Sequence, residues 1–216
     1  MNNSTIKSYI HRAVFLIIIA CRCTEPPVTG SETTSGVEIA VVKTTIHGTT
    51  NPGAVAILLN EEYSVNSIGK YADTMIADDT GGVAFTDLPQ GKYNLYVFSD
   101  NALHAGTVLF GIPVNDWAQQ NGIYTDTGFF SGVRNITGTV FRNNQPVPQM
   151  PVHIPGSPFG TATDSSGFFM FAGIPPARYS IVIPPISNSD RNGDSTVVDL
   201  ELTEEITVSV SIDLGG

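Results

Sequence analysis

The chain has 216 residues, ten basic and twenty acidic side chains, a formal net charge of −10 and a pI of about 4.6. So acidic a body excludes nucleic-acid binding by phosphate neutralisation, which needs clustered Lys and Arg, and it disfavours docking on anionic lipid by charge. Its two cysteines, Cys21 and Cys23, leave the remaining chain without a disulfide framework, so any small domains here stand on their cores alone.

Lys7, His11 and Arg12 make the start weakly basic, and Ala13 to Ala20 (AVFLIIIA) follow as an unbroken apolar run. The run is far shorter than the ~20 residues of a spanning helix. A basic start, a short apolar stretch and a small residue before the cut fit a secretory signal over 1–20. Ile18-Ile19-Ala20-Cys21 resembles the lipobox of bacterial lipoproteins, with Ile at two positions where leucyl or smaller residues are commoner. The resemblance implies cleavage before Cys21, acylation of its thiol and membrane attachment through the lipid. Two or three acyl chains anchor stably where one does not. Arg22 is not the Asp that often retains lipoproteins in the inner membrane, so the same resemblance favours the outer membrane.

Residues 21–36 carry the cysteine and a tether, TEPPVTGSETTSG from Thr24 to Gly36, whose Pro, Gly, Ser and Thr composition has no apolar period. From Val37 onward, short β-branched and aromatic runs alternate with Gly, Pro, Asn and Asp clusters. Many short strands with frequent turns predict an all-β architecture, in two small domains over 37–130 and 133–216. Only Val114 to Gln120 offers a helical turn.

The division into two rests on an internal repeat. Asp78 to Val97 aligns without a gap on Asp164 to Ile183 at an offset of 86. Gly81 falls on Gly167, Phe85 on Phe171, Leu88 on Ile174, Pro89 on Pro175, Tyr93 on Tyr179 and Leu95 on Ile181. Ile46-His47-Gly48 echoes Ile136-Thr137-Gly138 upstream at a slightly longer offset. In each copy Asp-x-x-Gly predicts a hairpin, the Asp side chain capping the turn and Gly taking the positive φ. Val83 and Phe85 share one face, and the proline of Leu88-Pro89 stops the strand. Tyr93, Leu95 and Val97 then alternate as in a half-buried strand. A tyrosine early in such a strand can bury its ring and bond its hydroxyl to a nearby corner.

Gly138-Thr139-Val140, Pro146-Val147, Thr163 to Phe169 and Gly173 to Tyr179 closely resemble the carboxypeptidase regulatory-like domain of the transthyretin-like (prealbumin-like) fold. Ala177 stands where Gly is usual. The resemblance covers about 136–214 well and 37–130 by extension. It implies two tandem β-sandwiches of about seven strands each, and a module appended to peptidases, receptors or adhesins. It is weak for function, because such folds host many roles.

No catalytic set emerges from the residues. His47, His104 and His153 sit in separate segments without zinc-ligand spacing, whereas a zinc site needs converging ligands. There is no nucleophile elbow and no Gly-rich phosphate loop opening a helix. Asp190 to Glu201 resembles an EF-hand or dockerin calcium loop, with Asp190, Asn192, Asp194 and Glu201 at the first, third, fifth and twelfth positions. Ser195 replaces the turn glycine and no helices flank it, so a polar hairpin leading into strands over 196–202 and 205–214 is the alternative. Trp117 and Tyr124, with Tyr63, Tyr71 and Tyr96, are candidates for a sugar-stacking face. Apolar packing is their commoner use.

These readings converge on a non-enzymatic, lipid-anchored envelope protein without a resident cofactor, calcium apart. Its sandwiches would bind or space a protein or polysaccharide partner. A carbohydrate-binding module is the first alternative and a hydrolase with a dispersed acidic site the second.

Overall fold

The computed structural model describes residues 36–64, 72–100, 104–115, 123–185, 195–203 and 207–214. Every element among them is a β-strand, so the all-β expectation holds. The signal segment, Cys21, the tether as far as Ser35, Tyr71, Trp117, Asp190, Asn192 and Asp194 lie outside these residues, while Gly36, read above as the end of the tether, opens the first strand.

The first lobe comprises β1 (Gly36–Val42), β2 (Thr45–Thr49), β3 (Val55–Asn60), β4 (Ala72–Ile76), β5 (Gly82–Phe85), β6 (Gly91–Phe98), β7 (Ala105–Val114) and β8 (Tyr124–Phe129), with a short β9 (Ser131–Gly132) after them. They form two sheets, ordered β5-β2-β1-β8 and β4-β3-β6-β7-β9. Alternate residues of each sheet point inward: Ile39, Ile46 and Phe85 from the first meet Leu58, Tyr93, Leu95 and Ile112 from the second. Val114, taken above as the start of a helical turn, is the last residue of β7.

The second lobe runs through β10 (Arg134–Arg142), β11 (Gln145–Pro146), β12 (Pro151–His153), β13 (Gly160–Ala162), β14 (Phe168–Ile174), β15 (Arg178–Ile183), β16 (Thr196–Glu201) and β17 (Thr207–Asp213). One sheet joins β10 to β14, β11 and β17, and the other is ordered β13-β12-β15-β16. Ile136, Val140, Phe169 and Phe171 face Val152, Ile181, Ile183 and Val198 across its core.

The repeat is structural, down to single hydrogen bonds. Asp78 Oδ1 accepts from Thr80 N, Thr80 Oγ1 and Gly82 N at 2.8, 2.7 and 2.8 Å. Asp164 Oδ1 accepts from Ser166 N, Ser166 Oγ and Phe168 N at 2.8, 2.7 and 3.0 Å. Gly81 and Gly167 follow at φ 81° and 74°. A Cβ there would sit 1.9 Å from Thr50 O and 2.5 Å from Val140 O respectively, so glycine is required by backbone sign and by space. Ile46 pairs with Phe85 as Ile136 pairs with Phe171.

Apart from the two-residue strands β9 and β11, the lobes differ in one strand. In the second, β17 lies parallel to and directly beside β10. In the first, β1 is inserted between β2 and β8, antiparallel to both. Two antiparallel steps leave β8 parallel to β2, as β17 is to β10. Strand β1 is therefore an added strand in an otherwise shared plan.

Candidate functional site

Strand β6 departs from the half-buried expectation. Tyr93, Leu95 and Val97 enter the first core as predicted, but Asn94, Tyr96 and Phe98 on the opposite face are buried too. That second face belongs to the other lobe: Leu59, Tyr96 and Phe98 join the same apolar cluster as Ile136, Val152 and Tyr179. Val55, Ile57 and Val108 pack against it. The two lobes thus share a continuous core across a seam.

Aromatic rings and one amide define that seam. Tyr96 meets Phe159 edge-on at 5.9 Å, and Phe110 meets Tyr179 in the same manner at 5.9 Å. Such pairs contribute about 0.5–1.5 kcal/mol each beyond their buried area. Asn94 donates Nδ2–H to Gly156 O at 2.9 Å and accepts from Gly111 N at 3.0 Å. Gly156 N in turn donates to Tyr63 O at 2.7 Å. The connection between lobes is also held: β9 pairs with β7, Val133 N donates to His104 O, and Arg134 donates to Gly132 O and Thr203 O.

The Tyr96 hydroxyl is buried without a hydrogen-bond partner. Burial pushes its pKa well above the ordinary phenol value; the Ser157 hydroxyl offsets part of that rise without reaching hydrogen-bonding geometry. Tyr96 therefore cannot belong to an exposed sugar-stacking face, which corrects that expectation. Tyr63 packs on the second core and Tyr124 on the first, the Tyr124 hydroxyl bonding Asp126.

Glu201, the last residue of the calcium-loop pattern, ends strand β16 and pairs with Arg178 at 3.2 Å. Beside it Ser180 donates to Asp199 Oδ1 at 2.5 Å. These four line a shallow depression of about 500 Å³, with both carboxylates already engaged. His47 lies on β2, His104 contacts Asp100, and His153 sits half-buried on β12, where burial lowers its pKa. Among the described residues no three His, Cys, Asp or Glu side chains converge to hold a metal. Among the described residues, the acids whose pKa is lowered are Asp78 and Asp164, held down by the hydroxyl and backbone N–H bonds of their turns. Those bonds make them structural caps.

No family model matches the chain, and no curated protein is similar to it. Among solved structures it is similar to the minor pilin of Streptococcus agalactiae, at 13% identity and TM-score 0.32 over 77% of this chain and 84% of that one. The major pilin subunit of Bacillus cereus gives 13% and 0.31 over 84% and 59%. The shaft pilin of Lactobacillus rhamnosus GG gives 11% and 0.30 over 78% and 90%. Likenesses at this level assign the chain to no family.

Proposed function

We propose that this protein is a non-enzymatic, lipid-anchored envelope component whose two sandwiches act as one stiff spacer. The seam carries the reading. With β6 buried on both faces and β9 laddered onto β7, the lobes lack the contact-poor linker that permits domain motion. Such a body suits holding a protein or polysaccharide partner at a set distance from a membrane. The anchor is Cys21, following the lipobox-like Ile18-Ile19-Ala20, and the outer membrane is the site favoured by Arg22. The resemblance to carboxypeptidase regulatory-like modules fits an accessory role without a peptidase centre. Labelling cells with a palmitate analogue and fractionating wild type and Cys21→Ser tests the anchor. Wild type should carry the label in the membrane fraction, and the variant should lose both. Equal labelling of the two would overturn it.

A further inference from the structure

Comparison of the two lobes isolates a surface that the fold itself does not explain. On the outer face of β14-β10-β17, two cross-strand rows stand side by side: Phe168–Thr139–Ser211 and Met170–Thr137–Ser209. None of the six is charged, in a chain of net charge −10. Phe168 and Met170 are 39% and 53% exposed. Thr137 and Ser209 share a hydroxyl–hydroxyl hydrogen bond of 2.8 Å.

The first lobe builds the same rows from other residues. There Gly82 pairs with Thr49 and Ala84 with His47, and β1 supplies Glu38 and Ala40 beside them. Identical strand pairing is thus achieved with Gly and Ala where the second lobe exposes Phe and Met. Folding does not demand those two side chains, and their exposure costs hydrophobic free energy.

We propose that this face binds a neutral polysaccharide. Phe168 and Met170 offer an apolar strip for the C–H face of a sugar ring, and the Thr and Ser columns offer hydroxyls that donate and accept. The two rows carry no charge, and the charge beside them is the exposed Asp213, one row beyond Ser211 and paired in register with Phe141. An acidic neighbour within a strongly acidic body favours an uncharged polyol over an anionic polymer. Three strands at ~4.8 Å spacing and ~23 Å length give about 300 Å². That is well below the ~800 Å² per partner of a stable protein interface, which disfavours a second copy. The site stands independently of the spacer reading.

The test uses the full chain in a non-glycosidic detergent, with cellulose, chitin, β-1,3-glucan and amylose as neutral matrices and polygalacturonate as the anionic control. Retention is expected on at least one neutral matrix and not on polygalacturonate. Phe168→Ala/Met170→Ala should weaken retention roughly tenfold or more with an unchanged melting temperature. Should that variant fold poorly, Thr139→Val/Ser211→Ala replaces it, with the same expectation. Three outcomes overturn the proposal: no retention on any neutral matrix, equal retention on polygalacturonate, or equal retention of the variants. Loss of a wild-type dimer in the Phe168→Ala/Met170→Ala chain on sedimentation also overturns it and gives the face to a second copy.

Discussion

Tyr93 and Tyr179, 86 residues apart, make the same bond in the two lobes: each hydroxyl donates to the carbonyl of the proline four residues earlier, Pro89 at 2.6 Å and Pro175 at 2.8 Å. Both rings are buried, and each bond pins the turn that follows a core strand. Tyr93→Phe and Tyr179→Phe should each destabilise by about 0.5–1.5 kcal/mol, the net worth of a buried neutral hydrogen bond. Tyr96→Phe is the contrast, because it removes a buried hydroxyl that has no partner. It should be neutral or stabilising in urea melts. A loss of 1 kcal/mol or more at Tyr96→Phe would show that its hydroxyl is satisfied.

Alkaline pH should act through the same tyrosines. Burial raises the pKa of Tyr96 and Tyr179, and at Tyr179 the neighbouring Tyr96 adds to the rise. A folded pKa above the unfolded value of about 10 gives stability that is complete below that value and lost as pH rises through the folded one. Both phenols should ionise only when the lobes unfold. Absorbance at 295 nm against circular dichroism in an alkaline titration reads this. Titration of all seven tyrosines near pH 10 with the fold intact would contradict it.

Acid should weaken the two Asp-capped turns. Asp78 and Asp164 have lowered pKa values. Their contribution is present above the ordinary carboxylate value of about 3.9 and fades as pH falls through the lower folded values. Asp78→Ala and Asp164→Ala should lower the urea midpoint at pH 7 and flatten the acid dependence below pH 4. Unchanged midpoints in both variants would return these carboxylates to plain surface charge.

Much of this was legible from the chain because it is local. Asp-x-x-Gly, Leu88-Pro89 and the early tyrosine each specify a turn within a few residues, and two copies reinforced the reading. The seam was harder to see, since a period-two reading of β6 assigns burial to one face only. Its cue is the near-continuous run Tyr93-Asn94-Leu95-Tyr96-Val97-Phe98, typical of a strand covered on both sides. The insertion of β1 between β2 and β8 was not legible, because pairing with β8 joins segments about ninety residues apart and no short motif encodes it.

One position tests the repeat's backbone directly. Asp87 and Gly173 occupy equivalent sites at φ 55° and 75°, and a Cβ on Gly173 would meet nothing within 4 Å. Gly173→Ala should therefore cost about 1–2 kcal/mol through the left-handed backbone alone. Asp87→Gly should be neutral or gain up to about 1 kcal/mol. Differential scanning calorimetry of both variants decides, and a destabilising Asp87→Gly would mean that the Asp side chain carries weight in its turn.

The stiffness of the seam is best tested by a distance distribution. Spin labels at Glu38 in the first lobe and Thr161 in the second, both exposed, are placed in a chain with Cys21 and Cys23 changed to Ser and read by pulsed dipolar spectroscopy. The shared core around Tyr96 and Asn94 predicts one narrow distance, no broader than the labels' own rotamers allow, that broadens in Asn94→Ala/Tyr96→Ala. A broad or multimodal distribution in the chain with Asn94 and Tyr96 intact would contradict it and make the lobes independently moving domains.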